Sequence, residues 1–430
     1  MDSCKITNVT AREVFNGMWT PSVEVTVEVD GKYRGTAITP AGQSTGSDEA
    51  CELRDGGTRF DGKGCLKAVS NVEKEIKPAL IGMDATQQRR IDRTMIELDG
   101  TENKSRLGAN AVVSVSVAAA KAAAKALGLP LYRYLNNNAC IIPVPFLSTI
   151  DGGHLAFGAA SEIQEFNTFP VGAENLADAI EISRKLHFTL YDMFVKKYGA
   201  LSVLTNSCGS FSIPCKSCRD TFDYLAAAIE KCGYQDKIVL GMDCAATHFY
   251  NKETGLYHFE GKDRSRDEMF EYYKKLLKDY PIVSIEDPFD EDDVDGFVKA
   301  TKAFKGIQVV GDDFFVTNPR ILKKKMEKGA ANAMLWKYNQ IGTLTEAFEA
   351  ADIAFRSNYA VQTSERSGES EDHVLADLTV AIGAGQTKTG TLVRSEHVNK
   401  YNRLLEIEKE LGEDAFYAGR NFKNGFLNII

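Results

Sequence analysis

Five apolar runs of this chain stop abruptly at charged side chains, and a buried core accepts such charges only when they are paired. The run PIVSIEDPFDEDD, from Pro281 to Asp293, ends in clustered carboxylates. Lys237–Asp243, Ile307–Asp313, Asn332–Lys337 and Tyr359–Arg366 share the design. Asp243, Glu286 and Asp312 thus close successive strand-like segments. Three convergent carboxylates repel by about 4 kcal/mol per pair at 4 Å and intermediate dielectric, a cost that a divalent cation removes. An all-oxygen donor set with few protein ligands favours Mg²⁺ over zinc or copper. The alternative is that each acid caps a neighbouring helix or pairs with a lysine or arginine.

Lys337 and Lys388 close two further runs. Beside a metal, either could hold an anionic substrate or, with a depressed pKa, remove a proton; the alternative is an ion pair with the same acids. Arg366 and Ser367 offer a forked donor and a hydroxyl suited to phosphate. Cys208, Cys215 and Cys218 are close in sequence, but no second Cys-x-x-Cys or histidine pair completes a zinc set, and the nine cysteines lack framework spacing. Reduced thiols are the expectation.

From Glu286 onward the charged stops recur roughly every 25 residues, about one strand, one helix and two loops of a (β/α)8 barrel. Strands and helices alternate to about residue 410, which predicts parallel strands with crossover helices. Strand-like pieces are expected at Phe146–Ile150 and Glu162–Phe166, and a helix over about 175–197. Ahead of them, residues 5–39 alternate in the manner of an antiparallel sheet with Asp30-Gly31 as a hairpin turn. Helical spacing covers about 64–97, and an alanine-rich helix runs from about Gly108 to Leu127. The expected organisation is an α+β domain over 1–138 and an α/β barrel domain over 139–430. A hydrophobic content of 43% and a net charge of −9 give no basic face for nucleic acid. No apolar stretch approaches a membrane span. A cytoplasmic protein is expected.

Over nearly its whole length the chain resembles the enolase family. The resemblance is carried by Met95–Ser105, Leu107–Asn110, Ser284–Phe289, Val316–Pro319, Asn339–Gly342, Gly385–Gly390 and Phe416–Phe422. It implies an enolase-type barrel that departs from uniform parallel topology near its start, a homodimer, and interconversion of 2-phosphoglycerate and phosphoenolpyruvate with two Mg²⁺ ions. Carried over by motif, Asp243, Glu286 and Asp312 would hold the first Mg²⁺ and Ser44 the second. Lys337 would be the base and Lys388 would hold the substrate carboxylate. Arg366 and Ser367 would serve the phosphate, Gln164 and Glu165 the acid side, and Ser364 and His154 would also bind substrate.

The motif residues depart from the family at that acid side. Cys208 stands where the family's Gly-Asp-Glu-Gly-Gly loop has its glutamate, and a thiol is a weak donor with an ordinary pKa near 8.5. Glu365 replaces the histidine of the Ser-His-Arg-Ser-Gly motif, placing a carboxylate where an anionic substrate is expected. His154 is one place forward of the family's loop histidine. These changes lead to the expectation that Glu365 blocks the phosphate pocket and that hydratase activity is lost or strongly weakened. The alternatives are an active glycolytic enzyme with Lys337 as base, and a non-catalytic scaffold on the same fold.

Overall fold

The computed structural model describes residues 4–156, 161–200, 203 and 205–423. Its first unit is a three-stranded antiparallel sheet of β1 (Ile6–Phe15), β2 (Pro21–Val29) and β3 (Tyr33–Ile38). Val23, Val25, Val27 and Val29 point to one fully buried face, as the period of two requires. Asp30 and Gly31 both take positive φ, 52° and 67°, and the Lys32 N–H closes onto the Val29 carbonyl at 3.1 Å. This is the two-residue turn expected for that dipeptide.

The expected helix over 64–97 is two pieces, a helical stretch over 66–80 and α1 (Gln88–Asp99), separated where Gly82 takes φ +83°. The alanine-rich segment forms α2 (Ala109–Ala126), buried almost all round. Small side chains let the sheet close on it: a Cβ at Gly35 would lie 2.2 Å from the Ala118 carbonyl oxygen. From the other side Ser116 of α2 accepts the Leu344 N–H, and the buried Lys104 ammonium pairs with Glu346 at 3.0 Å. The first unit is thereby fastened to the barrel.

Eight strands close the barrel in the order β4 (Val144–Asp151), β5 (Glu165–Phe169), β6 (Val239–Asp243), β7 (Ile282–Glu286), β8 (Gln308–Gly311), β9 (Ala333–Trp336), β10 (Ala360–Ser364) and β11 (Gln386–Lys388). Seven run parallel; β5 is antiparallel to both neighbours. The uniform parallel sheet inferred from alternation is therefore corrected at one strand, as the resemblance implied. The 152–164 connection contains, among the described residues, only a short turn, so β5 returns antiparallel. Two helices, α3 (Leu176–Tyr198) and α4 (Cys218–Cys232), then lead into β6. Single crossover helices follow: α5 (Arg266–Asp279), α6 (Val294–Ala303), α7 (Pro319–Met326), α8 (Leu344–Arg356) and α9 (Val374–Ile382), with α10 (Ser395–Leu411) last.

Within the barrel, Gln308 bonds Ser284, Gln362 and Gln386 at 3.1 to 3.3 Å, and Gln386 returns a bond at 2.7 Å. This polar layer, in which only the Gln362 Nε2 lacks a partner, floors the charged mouth above it. No helix among the described residues is long and apolar enough to cross a membrane.

Candidate active site at the barrel mouth

Strand ends bring the charges together. Asp243, Glu286 and Lys388 are the last residues of β6, β7 and β11, while Asp312 and Lys337 directly follow β8 and β9. Because β5 is reversed, its first residue, Glu165, reaches the same mouth as the last residue of β4, Asp151. Cross-strand register aligns Asp151 with Glu165, Glu165 with Asp243, and Asp243 with Glu286. Directly opposed residues put their side chains on one face, so these four acids form a continuous arc.

The lysines balance part of that arc. Lys388 Nζ lies 3.2 Å from Glu165, 3.1 Å from Asp243 and 2.9 Å from Glu286. Burial alone would lower its pKa, but these carboxylates hold it well above the ordinary value. Lys337 is ion-paired with Asp312 at 2.5 Å; burial opposes its charge, and Asp312 holds its pKa above normal. Asp312 accepts a further bond from Gln340 at 2.9 Å, and Gln164 donates to Asp243 at 3.0 Å. Burial, with Asp243 beside it, pushes the Glu286 carboxyl well up.

Four carboxylates, Glu165, Asp243, Glu286 and Asp312, thus face two ammonium groups. That surplus of buried negative charge and the all-oxygen donor set fit a hard divalent cation. A second acid cluster, Asp287, Asp312 and Asp313, has oxygens within 4.8 Å of one another. It differs in kind, because Asp287 accepts the N–H groups of Asp312 and Asp313 at 2.9 and 2.8 Å and so clamps the chain after β8.

A cavity of about 30 Å³ is lined by Ser44, Gln164, Glu165, Cys208, Asp243, Lys337, Ser364, Glu365, Arg366, Ser367 and Lys388. All of these were singled out from the sequence, and Glu286 and Asp312 are paired with its lysines Lys388 and Lys337. His154 belongs to the turn Gly153–Leu155, and its side chain lies outside the described residues. Arg366 also lines an adjoining polar cavity of about 300 Å³. Its guanidinium spans both oxygens of Glu49 at 2.9 and 3.1 Å and reaches the Ser44 carbonyl at 3.0 Å.

Glu365 does not stand as an unopposed charge in the phosphate pocket. Its carboxylate is bonded to Nδ1 of the buried His397 on α10, whose Nε2 meets the Ser207 carbonyl at 3.0 Å. With an acceptor at each nitrogen, His397 is placed to be an imidazolium. Burial opposes that charge, but Glu365 raises the His397 pKa above its ordinary value. Burial raises Glu365 in turn, against the pull of His397. The expected blocking role rested on Arg366 and the lysines as its neighbours, whereas a histidine 32 residues downstream takes the charge.

Cys208 lines the cavity with its thiol neutral, because burial and the nearby Asp151, Glu365 and Glu165 push its pKa well above normal. Asn206 fixes this loop through the Cys208 and Ser210 N–H groups at 2.9 and 3.1 Å and donates to Asp151. Cys215 and Cys218 are buried free thiols, and among the described residues no cysteine joins a potential metal cluster. Sequence reasoning missed Asp151, His397 and Glu49. Asp151 carried the same signal as Asp243, an acid ending an apolar run, but a Gly-Gly turn directly after it disguised it as a loop residue.

Comparison with known proteins agrees with this geometry. Residues 6–135 match the family description "Enolase, N-terminal domain" and residues 139–425 match "Enolase, C-terminal TIM barrel domain". The chain is 49% identical over 426 residues to the enolase of Methanococcus aeolicus, covering 99% of this chain and 100% of that one. It is 50% identical over 427 residues to the enolase of Thermococcus gammatolerans, covering 98% and 99%. Methanocaldococcus jannaschii enolase is 49% identical over 423 residues, covering 98% and 99%. On two domain matches and full-length identity near one half, the chain belongs to the enolase family.

Proposed function

We propose that the chain interconverts 2-phosphoglycerate and phosphoenolpyruvate as a Mg²⁺-dependent lyase. The observation that carries this reading is the opposition of Lys337 and Glu165. They sit on β9 and β5, four strands apart in either direction around the closed barrel. A substrate lying across the mouth would lose its C2 proton toward Lys337 on one face, once the Asp312 carboxylate that here keeps Lys337 protonated is engaged by a cation, and its C3 hydroxyl toward Glu165 on the other. Asp243, Glu286 and Asp312, with Ser44 for a second ion, would hold Mg²⁺, which supplies positive charge against the enediolate dianion.

The chain's own groups divide the remaining work. Lys388, midway between the two walls on β11, would hold the substrate carboxylate beside the bound cation. Arg366, whose fork spans a carboxylate edge, presents the same geometry to phosphate, with Ser364 and Ser367 beside it. Gln164 contributes a buried Oε1 that has no hydrogen-bond partner and is available to a substrate donor. His154, on the turn after β4, completes the substrate set.

This reading takes the place of the expected loss of activity, because relatives named enolase are about half identical throughout and Glu365 is met by His397. An attenuated enzyme is favoured by Cys208 alone, whose neutral thiol cannot supply the missing acid. The test is phosphoenolpyruvate formation from 2-phosphoglycerate and Mg²⁺ by purified protein. A kcat of about 10 s⁻¹ is expected, the median for enzymes. A folded protein two orders of magnitude slower would favour attenuation.

A further inference from the structure

We propose that Glu365, held in place by His397, accepts the hydrogen bond of the substrate's C3 hydroxyl and so turns that oxygen's lone pairs toward Glu165. The proposal deepens the proposed function and rests on it. A hydroxyl has one donor and two acceptor sites. To leave as water it must take a proton on a lone pair, so its own O–H has to be directed at an acceptor elsewhere.

Glu365 supplies that acceptor on the acid side of the mouth. It lines the cavity with Glu165 and Cys208. Gly390, at φ +72°, marks the place: a Cβ there would lie 2.8 Å from Glu365 Oε1, 2.8 Å from His397 Nδ1 and 2.9 Å from the Cys208 carbonyl oxygen. The Glu365 carboxylate therefore stands against the 206–210 loop, while the fork of Arg366, next in sequence, turns away toward Glu49 and the Ser44 carbonyl. Oε2 is bonded to His397, which leaves Oε1 for the cavity. The water that forms brings a second O–H, and the unpartnered Gln164 Oε1 is available to it.

Hydrogen-bond accounting fixes the charge of the pair. His397 Nε2 faces the Ser207 carbonyl at 3.0 Å, an acceptor only, so Nε2 carries a hydrogen. The bond between Nδ1 and Glu365 Oε2 then needs a second proton. Whichever atom holds it, the pair is neutral overall, and an acceptor oxygen meets the hydroxyl without a net charge against the anionic substrate. The other charges facing the pair are matched among themselves. Lys400 of α10 pairs with Glu369 at 2.8 Å, Glu396 with Arg394 at 2.6 Å, and in the cavity Lys388 pairs with Glu286 and Arg366 with Glu49, both at 2.9 Å. Burial keeps the Cys208 thiol protonated, and Tyr401 donates to the Gly390 carbonyl at 3.0 Å. Burial opposes charge on His397, but Glu365 raises its pKa above the ordinary value, in agreement with a proton held between them.

Glu365→Ala and Glu365→Gln, assayed with Mg²⁺, test the acceptor. A hydrogen bond to a charged group is worth about 10- to 100-fold, and Glu365→Ala should lose that much in kcat/KM for 2-phosphoglycerate. Glu365→Gln should stay within about threefold of wild type near pH 6, because its amide can donate to His397 Nδ1 and leave a carbonyl oxygen for the hydroxyl. Phospholactate, which is 2-phosphoglycerate without the C3 hydroxyl, should bind wild type and both variants equally in calorimetry. An equal loss of phospholactate affinity in Glu365→Ala would reduce Glu365 to a structural role, and a Glu365→Gln as slow as Glu365→Ala would make it a proton donor. Either result overturns the proposal.

A pH series reads the proton of the pair. The KM of wild type relative to Glu365→Gln should rise between about pH 6 and pH 9, with kcat little changed, as the pair loses its proton and turns net negative toward the substrate. A flat or falling ratio would overturn the neutral pair. Should the Glu365 variants not fold, His397→Gln carries the comparison: its amide holds Oε2 but brings no charge, so KM should already be raised near pH 6, and a KM equal to wild type there would overturn the positioning role. Wild-type protein that neither exchanges the C2 proton with D₂O nor forms phosphoenolpyruvate would overturn the function beneath the proposal, while the affinity difference between 2-phosphoglycerate and phospholactate still reads Glu365.

Discussion

Two walls of the same barrel mouth hold buried acids by different means. Along β6 to β9, Asp243, Glu286 and Asp312 are countered by the ammonium groups of Lys388 and Lys337. Along β4, β5 and the 206–210 loop, Asp151 is met by the neutral side chains of Ser148, Asn206 and Ser210, and Glu365 on the adjoining β10 side has His397. The first wall sets its acids against lysines, although burial and Asp243 still push the Glu286 carboxyl up. The second relies on neutral partners, on the His397 ring against Glu365 and on a Cys208 thiol that burial keeps protonated. At this second wall the charge of Glu365 is met by His397, whereas no acid takes the place of the one Cys208 lacks.

The largest effect is expected on the first wall. Lys337→Ala should lower kcat by about 10⁴-fold, the upper range for a positioned base, and abolish exchange of the C2 proton with D₂O. Calorimetric Mg²⁺ binding should disappear in Asp243→Ala and in Glu286→Ala. Retained exchange without Lys337 would move the base to another residue and dissolve the opposition of the two walls.

Next in size is an attempt to undo the difference. Cys208→Glu restores the family's residue, yet here it would add a carboxylate beside Asp151, Glu165 and Glu365, the groups that already disfavour charge on this side chain. One like-charge pair at 4 Å costs about 4 kcal/mol at intermediate dielectric. The single variant should therefore melt lower and turn over more slowly than wild type. Adding Asp151→Asn and Glu365→His should recover both. A single variant that is faster and as stable as wild type would show that the wall had decayed, not been rebuilt.

The difference between the walls also decided what could be read from the sequence. Asp243, Glu286, Asp312, Lys337 and Lys388 were legible because each stops an apolar strand, so local pattern and barrel topology agree on where they point. The reversal of β5 was invisible to periodicity, which is the same for either strand direction, and it decides that Glu165 stands beside Asp151. His397 lies within a helix 32 residues beyond its partner, and nothing in its local spacing marks it. Departures from the family pattern were legible as losses at Cys208 and Glu365. Their compensations were not, because compensation here is a three-dimensional contact.

A third effect, about 3 kcal/mol, is expected from parting Glu365 and His397, since removing one member of a buried pair strands the other. His397 is raised on folding. Its contribution is therefore complete below its unfolded value of about 6.5 and is lost as pH rises through the higher folded value. The melting temperature of His397→Gln should fall furthest below wild type near pH 6 and approach it toward pH 9. A gap that widens with pH would mean that His397 is neutral in the fold and that Glu365 carries the proton.

The smallest effect is expected from Cys208→Ala. The thiol is buried and protonated, and its Sγ lies 4.0 Å from the Ser207 hydroxyl, a weak contact at most. The loop does not depend on it, because Asn206 holds the Cys208 and Ser210 backbone and His397 holds the Ser207 carbonyl. Truncation should cost about 1 kcal/mol in stability, the scale of one small buried group. kcat should stay within about threefold, less than any positioned acid would lose. A fall of 100-fold in dehydration with C2 exchange intact would make Cys208 the proton donor in place of Glu165. Ordinary turnover leaves Glu165 as the acid on this wall and makes position 208 a place where the family's carboxylate has been exchanged for a side chain that carries no charge.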